Sequence, residues 1–114
     1  LPEADVAPGI YSYDGDPNFI VWDCGSHVKS VADVSSAYIM SEGEDYEDFA
    51  FLSFAVVWDS RIGEMTVEPQ HTVVFRYKKD TGEYYMPQSK FQSVVRRNTN
   101  KLDYLRAAAH ENSD

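Results

Sequence analysis

Cysteine is nearly absent. Cys24 stands alone among 114 residues, so no intramolecular disulfide is available. A lone thiol mildly favours a reducing compartment. With no cationic neighbour to lower its pKa, Cys24 reads as a small buried hydrophobe rather than a nucleophile. No apolar run approaches the ~20 residues that a membrane helix needs. The chain has no initiator Met and no signal peptide. It opens Leu1-Pro2-Glu3, which reads as a mature or trimmed terminus and leaves secretion open. His27, His71 and His110 are scattered, with no paired spacing for zinc. Asp14, Asp16 and Asp23 fail the glycine and terminal glutamate positions of a calcium loop. There is no glycine-rich phosphate loop, and Ser26-His27 adjacency makes no triad. No metal and no cofactor is implied.

Positive charge is also scarce. Ten Lys and Arg face 19 Asp and Glu, a formal net charge of −9. Residues 1–89 carry 16 acidic and 5 basic side chains, a balance of −11, whereas residues 90–114 carry 5 basic and 3 acidic, a balance of +2. An acidic surface repels a phosphate backbone, so tight non-specific RNA or DNA binding is not expected. The basic C-terminal segment (Lys90, Arg96, Arg97, Lys101, Arg106) is a candidate contact for an acidic partner. Its plainer reading is a solvated face.

What is present is one domain's worth of chain with a core-forming composition. Hydrophobic residues make up 43% and aromatics 14%, which argues against disorder. Residues 1–8 read as loose. Residues 9–13 and 18–22 read as strands joined by the turn Asp14-Gly15-Asp16-Pro17. Val28, Val31, Val34, Tyr38 and Ile39 recur at helical spacing, so a main helix is predicted from an N-cap at Ser26 to about Gly43. Residues 42–48 form a polar acidic loop. Residues 49–58 are apolar except for Ser53, as in a central strand covered on both faces. Residues 65–68 and 72–78 read as further strands, with Asp80-Thr81-Gly82 a hairpin turn and 91–95 a last strand. Residues 98–110 read as a C-terminal helix with Leu102, Leu105 and Ala109 on one stripe. Segregated elements of this kind give an α+β fold.

Three stretches together resemble a known family. They are Trp22-Asp23-Cys24-Gly25-Ser26 followed by Asp33-Val34-Ser35-Ser36-Ala37; Tyr46-Glu47-Asp48-Phe49-Ala50-Phe51; and Val73-Val74-Phe75. In this order they look like the small secreted fungal guanyl-specific ribonucleases. The aromatic-x-Cys motif in a short acidic chain is closer still to the RNase-like effectors of powdery mildew fungi associated with haustoria. The resemblance implies a microbial-ribonuclease-like fold: an N-terminal hairpin and one main helix on a curved antiparallel sheet, here with an extra C-terminal helix. It also implies a secreted monomer delivered into the host plant cell cytoplasm. Its partners there would be host plant proteins, and some members are detected by intracellular nucleotide-binding leucine-rich-repeat immune receptors. Family members usually pair the Cys of this motif with one near the C-terminus. This chain has none there, so Cys24 is expected to be a free thiol.

Metal-free RNA cleavage needs a base, an acid and a cation for the phosphorane charge. The family's first His position falls near Ser41, its Glu at Asp59, its Arg at Thr72 and its last His near Pro87. Asp59 is the only survivor, with a carboxylate set back about 1.5 Å; misplacement by ~1 Å costs about 100-fold. Tyr46-Glu47 matches the family's base-recognition loop, although the neighbouring Asp45 and Asp48 favour a solvated loop with Tyr46 capping the core. A binding effector without catalysis is therefore expected. One alternative is a weakly active ribonuclease rebuilt from Asp59, His71 and Arg76, against which strand alternation sets His71 and Arg76 on opposite faces. Another is an unrelated α+β interaction module.

Overall fold

The computed structural model describes residues 12–13, 16–23, 28–67, 69–87, 94–96 and 99–113. Residues 1–8, which the sequence reads as loose, Asp14-Gly15, Cys24, Ser26 and residues 91–93 lie outside them. Strands β1 (Ser12–Tyr13) and β2 (Asp16–Asp23) form the expected N-terminal hairpin. Next come β3 (Val28–Glu42), β4 (Tyr46–Asp59), β5 (Glu64–Val67), β6 (His71–Lys78), β7 (Glu83–Tyr85) and β8 (Val94–Val95). Helix α1 (Thr99–Ser113) ends the fold. Among the described residues all strands join one curled antiparallel sheet in the order β1-β2-β3-β4-β6-β7-β8, with β5 beside the end of β4. The class is α+β.

The main helix predicted over residues 26–43 is not formed; these residues build β3, which pairs with β2 and β4. The physical reason is a bulge. Asp33 pairs with Leu52 and Tyr38 with Ala50, so residues 34–37 have no regular place in the ladder. Asp33 Oδ1 accepts from Ser35 N at 3.1 Å and from Ser35 Oγ at 2.7 Å. Ser36 Oγ donates to Asp33 O at 2.6 Å and accepts from Leu52 N at 2.7 Å, taking the place of a strand carbonyl. The bulge shifts the phase of the face that α1 covers: Ala32 and Val34 enter the core two apart, Val34 and Ala37 three apart, and Val31, buried on the opposite face beside Phe54, completes a spacing of three. That spacing imitates a helix.

β4 is the axis of the sheet. It pairs with β3 along one edge and with β6 and β5 in succession along the other. Phe49, Ala50 and Phe51 are fully buried in a row, so the middle of β4 is covered on both faces, as its apolar run implies. Alternation points Glu47, Phe49, Phe51 and Ser53 to the face that α1 covers. There Phe75 stacks on Phe51, with centroids 5.9 Å apart, and Tyr84 meets Phe49 edge-on at 6.0 Å. Leu102, Leu105 and Ala109 of α1 close over this cluster, as their stripe implies. Asn112 and Ser113 tie the end of α1 to β3: Ser113 Oγ accepts from Ile39 N at 2.9 Å. Two turns need left-handed glycine, Gly63 after β4 (φ 65°) and Gly82 between β6 and β7 (φ 72°).

Candidate functional site

Tyr46 and Glu47 belong to the first turn of the ladder on β4, not to a loop, and they point to opposite faces. The structure therefore separates the two side chains that the family resemblance pairs.

Glu47 points inward and is 1% exposed. Its Oε1 accepts from Arg106 Nε and, at 2.8 Å, from His110 Nε2, both on α1. The Arg106 guanidinium also lies over the Tyr77 ring, 3.8 Å from its centroid. Burial raises the pKa of the Glu47 carboxyl, but the hydrogen bonds and charges of His110 and Arg106 outweigh it and hold the group below the usual glutamate value. Beside this pair, Tyr84 donates its hydroxyl proton to Asp103 of α1. Burial, then this bond to a carboxylate, pushes the Tyr84 phenol far above its ordinary value. These groups hold the helix to the sheet.

Tyr46 points outward. On this face Asp48 takes a two-pronged hydrogen bond from Arg76, Nε to Oδ1 at 2.8 Å and Nη2 to Oδ2 at 3.0 Å. The same guanidinium lies 4.1 Å from the centroid of the Tyr46 ring. Cross-strand register explains the grouping: Asp48 faces Arg76, Arg76 faces Tyr85, and Tyr46 faces Lys78. Together Asp45, Tyr46, Arg76, Lys78, Tyr85 and Pro87 line an open cleft of about 290 Å³. Two tyrosine rings flank a strand that carries two cations, an arrangement suited to holding a ligand rather than to moving protons. Sequence alternation on residues 46–48 and 76–78 contains this grouping, but only the pairing of β4 with β6 reveals it.

Asp59 ends β4. It accepts from Arg61 Nη2 at 3.0 Å and Arg61 N at 3.0 Å, and its carbonyl accepts from Gly63 N. The side-chain bond from Arg61 is the main reason that its pKa is lowered. Asp59 thus organises a turn. His71 is exposed, faces Ser53 across the ladder and has Nδ1 3.5 Å from Pro69 O. His71 and Arg76 lie on opposite faces, as alternation predicts. Five residues separate them and six more separate the His71 level of β4 from Asp59. At about 3.3 Å per residue, these steps are roughly 17 Å and 20 Å. Asp59, His71 and Arg76 do not converge. At the other family positions, Ser41 and Thr72 are exposed strand residues and Pro87 lines the outer cleft.

Of the basic segment, Lys90 and Arg97 lie outside the described residues. Arg96 is exposed, whereas Lys101 is buried and Arg106 is turned inward onto Glu47. Among the described residues no group of three His, Cys, Asp or Glu is placed to hold a metal, and no helix is long and apolar enough to cross a membrane. No family model, curated protein or solved structure matches this chain.

Proposed function

We propose that this protein acts by binding, as a secreted effector-type protein without ribonuclease turnover. One observation carries the reading: the carboxylate at the one surviving catalytic position, Asp59, and those of the base-recognition stretch, Glu47 and Asp48, are committed to structural ion pairs. Glu47 holds Arg106 and His110, Asp48 holds Arg76, and Asp59 holds Arg61. A general acid or base must exchange its proton with substrate, and a carboxylate locked on a guanidinium is poorly placed to do so. The outer cleft between Tyr46 and Tyr85 is the surface we assign to binding, because Tyr and Arg are the side chains that most often anchor interfaces.

The secreted, plant-cell setting rests on the motifs of residues 22–26, 33–37, 46–51 and 73–75 alone, and so does the relation to ribonuclease-like effectors. On that basis the partners are host plant proteins in the cell cytoplasm, with a nucleotide-binding leucine-rich-repeat receptor as a possible detector.

The test is cleavage of guanosine-containing single-stranded RNA beside an active fungal ribonuclease. No cleavage is expected even at roughly a thousandfold higher protein concentration, since losing one essential group is already severe. Cleavage that disappears in Asp59→Ala or His71→Ala would overturn the reading.

A further inference from the structure

Tyr104, Ala107, Ala108 and Glu111 follow one another on α1 at i, i+3, i+4 and i+7, one face of the helix. Between this face and the β3 bulge runs a groove of about 410 Å³, with Val34 and Ser35 on the strand side and Asn112 also lining it.

The hydrogen-bonding inventory of this groove is one-sided. Asn112 Nδ2 donates to the carbonyls of Val34 at 3.1 Å, Ser35 at 3.4 Å and Ala37 at 3.0 Å. Its donors are consumed, which leaves Oδ1 as an acceptor. Ser35 gives its hydroxyl proton to Asp33 at 2.7 Å, so Ser35 Oγ is left with acceptor capacity. Glu111 is exposed and has no hydrogen bond or ion pair among the described residues. The groove therefore offers three acceptors, one of them fully charged, and no free nitrogen donor. Tyr104 is 47% exposed and adds the negative face of its ring. Val34, Ala107 and Ala108 give an apolar floor.

A ligand that satisfies this lining is cationic, donates without accepting, tolerates an aromatic face and carries an apolar stem. The arginine side chain has all four properties: five N–H donors, no acceptor, a planar weakly hydrated charge and three methylenes. A carboxylate or phosphate would meet only acceptors and like charge. The chain's net charge of −9 favours encounter with a basic partner. We propose that the groove between α1 and the β3 bulge binds an arginine side chain presented by a partner protein. The assignment goes beyond the binding reading above. It names a second surface and the chemistry of its partner, and it does not depend on the outer cleft.

The test is a two-dimensional amide NMR titration of the whole chain with N-acetyl-arginine methylamide. The citrulline analogue, of the same shape without the charge, and the lysine analogue serve as comparisons. Saturable shifts are expected at Ser35, Ala107, Ala108 and Glu111 with the arginine probe. Binding should be about tenfold weaker with citrulline, the size of one lost charge-assisted hydrogen bond. E111Q changes an exposed side chain, so the variant stays folded, and it should lower arginine affinity to the citrulline level. Tyr104→Ala should weaken arginine more than lysine. Equal shifts for arginine and citrulline, lysine binding as tight as arginine, unchanged affinity in E111Q, or no saturable shift would each overturn the proposal. RNA cleavage by the protein would sink the reading without turnover and leave this titration untouched.

Discussion

His110 Nε2 lies 2.8 Å from Glu47 Oε1, and this contact joins the last turns of the chain to the buried start of its central strand. Arg106, one helical turn earlier, bonds to the same oxygen. A carboxylate 1% exposed is tolerated because two partners face it.

Glu47→Ala should destabilise the protein by about 2–4 kcal/mol in chemical denaturation. That is below the full figure for a broken buried pair, because Arg106 and His110 keep some contact with water. The helix signal in far-ultraviolet circular dichroism should soften before the sheet does.

The same carboxyl sets a pH dependence. Its native pKa is held below the ordinary 4.5, so its stabilisation is complete above about that pH and is lost as pH falls through the native value. Denaturation midpoints measured at neutral pH and in acid should fall less for Glu47→Gln than for the wild type.

Tyr84 titrates in the opposite sense. Burial and the bond to Asp103 raise its phenol pKa, so the folded state is favoured below the ordinary value of 10.0 and loses that advantage as pH rises. In an ultraviolet alkaline titration, Tyr84→Phe should remove a tyrosine step that the wild type shows only on unfolding.

Ser36→Ala should cost about 1–3 kcal/mol, because it leaves the Leu52 N–H without its acceptor. Amide exchange at Leu52 should accelerate while exchange at Phe75, across the core, changes little.

On the outer face, Arg76→Lys keeps the charge but loses the fork to Asp48 and the flat contact with Tyr46. A loss of about 0.5–1 kcal/mol is expected, since the pair is partly exposed. A double-mutant cycle with Asp48→Asn should recover most of it as coupling.

Helix α1 was legible in the sequence because Leu102, Leu105 and Ala109 need only local geometry to line up, and all three are buried. The apolar run of β4 was legible because covering on both faces leaves no alternation to misread. β3 was misread as a helix because the 34–37 bulge resets the strand's phase. Val34 and Ala37 then face the same core three residues apart, and the Ser36 hydroxyl that stabilises the bulge accepts from Leu52 N, sixteen residues further on. The candidate site was legible only in pieces. Tyr46 and Glu47 are adjacent in the sequence, yet strand geometry sends them to opposite faces.

The sequence by itself determined the acidic charge, the lack of any internal disulfide, the strand-rich composition and the C-terminal amphipathic stripe. These depend on residue identity and short-range spacing. Only the tertiary structure decided that Arg106 and His110 neutralise Glu47, that Arg76 meets Tyr46 and lies beside Tyr85, and that Asn112 spends its donors on the bulge. Those relationships join residues far apart in the chain, and the register that brings them together is fixed by packing the whole sheet against α1.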